Sequence, residues 1–338
     1  MIKTTVVGSY PVPMWLRLVS NRESLVDAIL AVLKIQELAG IDVVADGELY
    51  RWDINHAETN GMIEYFVRPM SGVNTKLTFQ KLAGWRSRHG MEFRAAPPGA
   101  VNGPLGSGSL DLCNDYQLYR DLTTRAKKFT VTSPYMLAKT LVNDYYPDLE
   151  SLVMAIADVL HEQILPIDAD VVQVDEANIT GNPHDAAIAA AGINRTLAAV
   201  KQEKAVHLCF GNYGGQPIQR GNYDNLIDFL NMLEADHVVL ESARRPKDEL
   251  SIFSDIKHEL GLGIGVIDIK DNEVETSELV ARRIEQVAAK VGSERINYVH
   301  PDCGFWMLPR SVADAKMRAL VKGRDLFVGQ VLNNTSGK

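Results

Sequence analysis

Short apolar runs alternate along most of this chain with longer stretches whose apolar positions recur every three or four residues, a pattern of strands separated by helices. β-Branched residues at 4–7 stop at Gly8-Ser9 and Pro11, which predicts a first strand ending in a tight loop. Leu25, Ile29, Val32 and Leu33 fall at helical spacing before Gly40, so a helix is expected over 23–39 with Gly40 as its stop. A second strand is expected at 41–46, followed by the loop 47–53. The rhythm then fails over about 59–125, where Pro, Gly and scattered aromatics carry no clean period. We read that stretch as an inserted lobe, a hairpin plus a helix over the mouth of the fold. From residue 127 the alternation returns. Strands are expected at 128–132, 170–174, 205–210, 238–241, 263–268 and 296–300, with the loop 211–215 beyond the third of these. The expected helices are 149–164, 184–201, 223–233, 247–260, 277–291 and 311–323.

Strand followed by helix, repeated about eight times, is the tally of a (β/α)8 TIM barrel. The expected organisation is one α/β barrel over 1–330, an insertion after the second strand at about 59–125, and a flexible tail at 331–338. A doubly wound sheet also alternates, so the placement of polar residues decides. Ser9, Glu48, Asp175, Cys209, Glu241, Lys270 and Cys303 all sit at or just past the C-terminal ends of different expected strands. A barrel gathers those ends at one mouth, whereas an open sheet spreads them along an edge.

Composition narrows the function. A chain of 338 residues with 46% hydrophobic and 23% charged content suits one large globular core. The net charge of −8 argues against a nucleic-acid or anionic-membrane partner, since either favours a basic face. No apolar run has membrane-spanning length and the N-terminus does not read as a signal peptide, so a cytoplasmic location is expected. Three cysteines, Cys113, Cys209 and Cys303, suit a reducing compartment better than a disulfide framework.

The sharpest chemistry lies in 205–210. His207 and Cys209 are two residues apart on an expected strand and so share a face. Glu241 ends another apolar run and Cys303 lies in the loop past a third. Together they form a nitrogen, sulfur and oxygen donor set that Zn²⁺ favours. Alone, His-x-Cys in a strand equally describes a core histidine and an inert buried thiol. Two of the three cysteines at strand ends, with a carboxylate between them, point to zinc. Such an ion activates water poorly but binds a thiol as thiolate at neutral pH, so alkyl transfer to sulfur is the expected chemistry.

These residues carry a resemblance. The stretch 4–11, the Asp46-Gly47-Glu48 and Gln173-Val174-Asp175-Glu176 motifs, and 297–304 ending Pro301-Asp302-Cys303-Gly304 resemble the C-terminal catalytic barrel of the cobalamin-independent methionine synthase family. The resemblance implies that His207, Cys209, Glu241 and Cys303 ligate zinc, with Glu241 yielding when the thiol arrives. It implies that Glu48 and Asp175 hold the ammonium of homocysteine, and Gly8-Ser9 its carboxylate. Where the folate-dependent members place a protonating histidine, this chain has Lys270 in Ile267-Asp268-Ile269-Lys270-Asp271. Lys270 would be the catalytic acid if burial lowered its pKa, and otherwise an ammonium paired with Asp268 or Asp271. No counterpart is read for the pterin-stacking aromatic or for the second, N-terminal barrel. A corrinoid or an undefined donor, with a methyl-donor protein as partner, is therefore expected in place of methyl-tetrahydrofolate. Trp15, Trp52, Trp85 and Trp306 would either wall a donor pocket or simply pack. Two rival readings remain: an epoxyalkane:coenzyme M-type thiol transferase of the same superfamily, and a non-catalytic barrel with structural zinc that serves as a partner protein.

Overall fold

The structure is a computed structural model that describes residues 2–53, 61–86, 94–211, 221–246 and 249–336, with side chains described as far as residue 331. Its strands are β1 Lys3–Thr4, β2 Val43–Ala45, β3 Ser71–Asn74, β4 Ala100–Gly106, β5 Ala126–Thr132, β6 Val142–Asn143, β7 Val171–Glu176, β8 Glu203–Leu208, β9 His237–Leu240, β10 Gly261–Ile267 and β11 Ile296–Pro301. Eight of them form one sheet in the order β1-β11-β10-β9-β8-β7-β5-β2, with parallel pairing throughout. Parallel bridges Thr5–Val43 and Ser9–Gly47 join the two outer strands, so the sheet curls into a nearly closed barrel. The expected (β/α)8 architecture is the one observed.

Period-two alternation divides each strand between two environments. Phe129, Val131, Val172, Val174, Val206, Leu208, Val238 and Leu240 pack outward into the main core under the helices. Inside, a smaller apolar cluster of Val7, Val43, Val171, Ala205, Val239 and Tyr298 fills the lower barrel. Because the strands run parallel, residues further along the same inward face, among them Asp175, His207 and Glu241, lie nearer the C-terminal mouth.

Most helices lie where the pattern puts them. Arg22–Ala39 is capped by the Asn21 side chain accepting from Ser24 N, and it stops at Gly40 in the left-handed conformation. Leu149–Ile164 and Ser277–Val291 match their expected bounds. Three differ. The segment expected as a helix over 247–260 carries instead the 3₁₀ run Glu249–Asp255. The helix expected over 223–233 opens as a 3₁₀ turn before Ile227–Met232. The last helix runs Arg310–Ser336, without the stop expected at Gly323 or the tail expected from 331. A Cβ at Gly323 would collide with Val280, so that glycine permits close helix packing rather than ending a helix.

The described residues of the 59–125 stretch include an antiparallel β3–β4 pair and a helix Phe79–Arg86. Its small sheet is completed by β6, which comes from beyond the lobe and pairs parallel with β4. The loop expected at 212–215 lies outside the described residues.

Candidate active site

β8 carries His207 within it and Cys209 one residue past its end, while Cys303 follows β11. One ligand atom from each of His207, Cys209 and Cys303 lies within 4.8 Å of the others. The imidazole is pre-aimed: Nδ1–H donates to the Val239 carbonyl at 2.9 Å, which leaves the Nε2 lone pair free. Nε2 is buried without a hydrogen-bond partner. A lone pair in that state suits a metal ligand.

Charge in this corner is shared unevenly. A hydrogen bond from the Cys209 thiol holds the Cys303 thiol well below its ordinary pKa, against burial and with help from His207. The same hydrogen bond, together with burial, pushes Cys209 up. Burial works against the imidazolium of His207, yet its contact with the Cys303 sulfur and the charge there raise its pKa overall. A divalent ion held here would take both sulfurs as thiolates.

Glu241 follows β9 and lies outside the three-residue group. Its Oε1 meets Lys270 Nζ at 3.1 Å and Arg245 Nε at 4.0 Å, while its Oε2 is buried and unpartnered. The Lys270 side chain is 3% exposed. Burial favours losing its proton, but the charges of Glu241 and Asp302 outweigh that and raise its pKa. Its ammonium is turned to Glu241, not to Asp268 or Asp271. Asp268 instead pairs with Arg244 and accepts from the Lys270 backbone N–H at 2.8 Å, and Asp271 lies 3.8 Å from Arg244.

Across the mouth, Glu48 stands in the left-handed region at φ 57°, reached through Gly47 at φ 77°. Its carboxylate accepts from Thr130 Oγ1 at 2.6 Å and pairs with Arg51 at 3.0 Å. Glu48 Oε1 lies so close to Gly8 that any Cβ there would collide with it. Ser9 Oγ occupies the space a side chain on Gly304 would need, and the Phe305 N–H donates to Ser9 O at 2.9 Å. The first turn and the Cys303 loop are therefore in contact. Asp175 is the parallel-strand neighbour of His207. Burial pushes its carboxyl up to about 7, with the nearby His207 charge opposing.

The sequence reading missed several residues. Arg51, buried at the end of the β2 loop, donates to Thr130 O and Oγ1 as well as pairing with Glu48. Its guanidinium also lies 5.0 Å from the Phe66 ring of the inserted lobe. Asp302 accepts from the Ser242 and Ala243 N–H groups at 2.9 Å, and burial together with Glu241 raises it to about 7. Asp302 stood inside the quoted closing motif, but Arg51 gave no signal beyond its loop. Of the tryptophans, Trp15 and Trp306 are exposed, whereas Trp85, on the Phe79–Arg86 helix, is buried.

An eight-stranded parallel barrel that gathers two sulfurs, an imidazole and paired carboxylates at its C-terminal mouth defines a TIM-barrel enzyme. Residues 2–323 match the family described as "Cobalamin-independent synthase, Catalytic domain". The chain belongs to that family, and it is a methyltransferase. It is 29% identical to the methionine synthase of Thermococcus kodakarensis, over 96% of this chain and 93% of that protein. With the methionine synthase of Pyrococcus furiosus it shares 28% identity, over 95% and 91% respectively. A solved B12-independent methionine synthase from Shewanella sp. W3-18-1, in complex with selenomethionine, superposes with a TM-score of 0.81 at 24% identity, covering 98% of this chain and 99% of that one.

Proposed function

We propose that this protein is a cytoplasmic, zinc-dependent methyltransferase that methylates the thiol of homocysteine to give methionine. The observation that carries the reading is the His207, Cys209 and Cys303 group, with one buried imidazole nitrogen unpartnered and aimed at it. These three would hold the ion, with Glu241 as a fourth, weaker ligand. When bound, Zn²⁺ would keep the acceptor sulfur as a thiolate at neutral pH.

The chain's own residues do the rest. Glu48 and Asp175 take the ammonium of the acceptor, and the Gly8-Ser9 turn offers backbone and hydroxyl donors to its carboxylate. Lys270 keeps Glu241 engaged, so the carboxylate that must yield to an incoming sulfur has a partner to fall back on. The acceptor thiol gives up its proton, its sulfur takes the methyl carbon in line, and the bonding pair leaves with the donor. Lys270 retains its proton beside Glu241 and Asp302, so we assign it electrostatic holding of Glu241 rather than acid catalysis, with Asp268 locking the Lys270 turn.

The donor reaches this pocket across an apolar rim. Met14, Leu18, Val19, Trp306 and Met307 are all exposed, and Arg310 over Trp15 at 5.4 Å links the two segments. That rim suits a large or protein-borne donor, such as a corrinoid, better than free methyl-tetrahydrofolate.

The test is to measure zinc by mass spectrometry and to supply homocysteine with methyl-tetrahydrofolate, methylcobalamin or cell extract, reading methionine. About one zinc per chain is expected, lost in Cys303→Ser, with methionine formed from a donor other than the folate. Protein free of zinc after metal-replete preparation overturns the reading. Titration heat with coenzyme M and none with homocysteine would transfer it to the epoxyalkane type.

A further inference from the structure

The barrel interior beneath the site holds a buried ammonium that the proposed reaction does not use. Lys128 points inward from β5, 1% exposed, with its Cα level with Val171 and one layer below Gln173. Its Nζ donates to Val6 O at 2.9 Å and to Gln173 Oε1 at 2.7 Å. Among the described residues no carboxylate lies within ion-pair distance of it. Burial, the dominant effect, pulls its pKa down to about 7, with Asp175 and Glu203 opposing. A cation taken from water without a contacting counter-ion is costly, and a methionine would fill the same space. What the ammonium adds is direction.

Because Gln173 Oε1 accepts from Lys128, its Nε2 must face the other way. There it donates to Asp175 Oδ1 at 2.7 Å and to Val7 O at 2.9 Å. A flipped amide would set oxygen against both a carboxylate and a carbonyl. Val6 and Val7 lead directly into Gly8-Ser9, so one ammonium ties that turn to the Asp175 strand.

We propose that Lys128, acting through Gln173, is a positioning residue for the amino-acid end of the acceptor: it locks the Gln173 amide onto Asp175 and so sets the span between Asp175 and Gly8-Ser9. The inference rests on the reading that these two elements take the ammonium and the carboxylate of the acceptor. It makes the barrel floor a selector for α-amino acids over other thiols and thioethers.

Calorimetric titration of the full-length protein with L-methionine and with 4-(methylthio)butanoate, the same molecule without its amino group, tests it without needing the donor. Lys128→Met is expected to weaken methionine about tenfold and to leave the analogue within about twofold. Gln173→Met should do the same, and the double variant should be no worse than either, since both act along one path. Equal losses for both ligands, or unchanged methionine binding, overturn the positioning role. A wild-type protein that binds the two ligands equally overturns the amino-acid reading itself, and this inference with it. If Lys128→Met does not fold, Gln173→Met, which leaves the barrel floor in place, carries the same comparison.

Discussion

Gly8 shows how a single missing side chain shapes the site. The Glu48 carboxylate occupies the volume that a Cβ at Gly8 would take, and Thr130 Cγ2 closes the other side at 3.1 Å. Gly8→Ala must therefore move Glu48 or distort the first turn, at roughly 1–3 kcal/mol. We expect methionine affinity to fall about tenfold in calorimetric titration, with the denaturation midpoint lowered by an amount that matches that cost. Unchanged affinity would mean that Glu48 does not contact the acceptor. Lys270 makes a second residue-scale case. Its partner Glu241 is 6% exposed in its side chain, so Lys270→Met leaves that buried carboxylate with only the longer Arg245 contact at 4.0 Å among its ion pairs and should destabilise the fold by about 3 kcal/mol in urea unfolding. The Lys270 pKa is raised on folding, so its contribution is complete below the unfolded value and lost only as pH rises past the folded one. The gap between wild type and variant should be flat from about pH 6 to 9.

At the scale of elements, the helices divide by how their ends are made. Ser277–Val291 begins at Thr276, whose Oγ1 accepts from Leu279 N at 3.2 Å. Thr276→Ala should cost about 1 kcal/mol in urea unfolding and leave ligand binding unchanged, because the cap lies on the outer ring of the barrel. Signals of this local kind were legible: Gly40 ended its helix, and the apolar spacing of 149–164 matched the observed bounds. Where a neighbour decides, the local signal misled. Gly323 reads as a stop by chemistry alone, but the packing of Val280 against it explains the glycine, and the helix continues to Ser336. Strand β6 is two residues long and exists only because β4 lies alongside, so no period within it could be read.

For the whole molecule, the weakest join is the seam where the first strand meets the second. No strand ladder joins β1 to β2 among the described residues; the Thr5–Val43 and Ser9–Gly47 bridges cross the seam, with Thr5 Oγ1 donating to Val43 O at 2.9 Å. Asp42 reinforces it, accepting from Thr4 N at 2.8 Å, Thr4 Oγ1 at 3.0 Å and Arg324 Nη1 at 2.7 Å. Arg324 belongs to the last helix, so this network fastens the end of the chain to its beginning. Burial opposes the Asp42 charge, but the Thr4 and Arg324 hydrogen bonds outweigh it and hold the carboxyl below its ordinary pKa. A lowered pKa gives stability that is present above the unfolded value and lost as pH falls through the folded one. Arg324→Ala should lose about 1.5 kcal/mol in urea unfolding at pH 7, with the gap to wild type narrowing as pH falls below the ordinary carboxylate range and Asp42 protonates. A gap independent of pH would place the effect in helix packing instead.

The sequence by itself determined the alternation of strands and helices, the (β/α)8 tally and the strand ends on which the chemistry sits, because period and strand length are local properties of neighbouring residues. It also marked His207, Cys209, Glu241 and Cys303 as a candidate group, of which His207, Cys209 and Cys303 lie together, since parallel strands in a barrel bring their ends to one mouth whatever their separation along the chain. Only the tertiary structure decided which partner each charge meets. Lys270 chose Glu241 over its sequence neighbours Asp268 and Asp271, Arg51 reached Thr130 on the neighbouring strand β5, and Lys128 reached Gln173 beneath the site. In a buried interior a charge pairs with whatever the packing brings within about 3 Å, and sequence distance has no bearing on that choice.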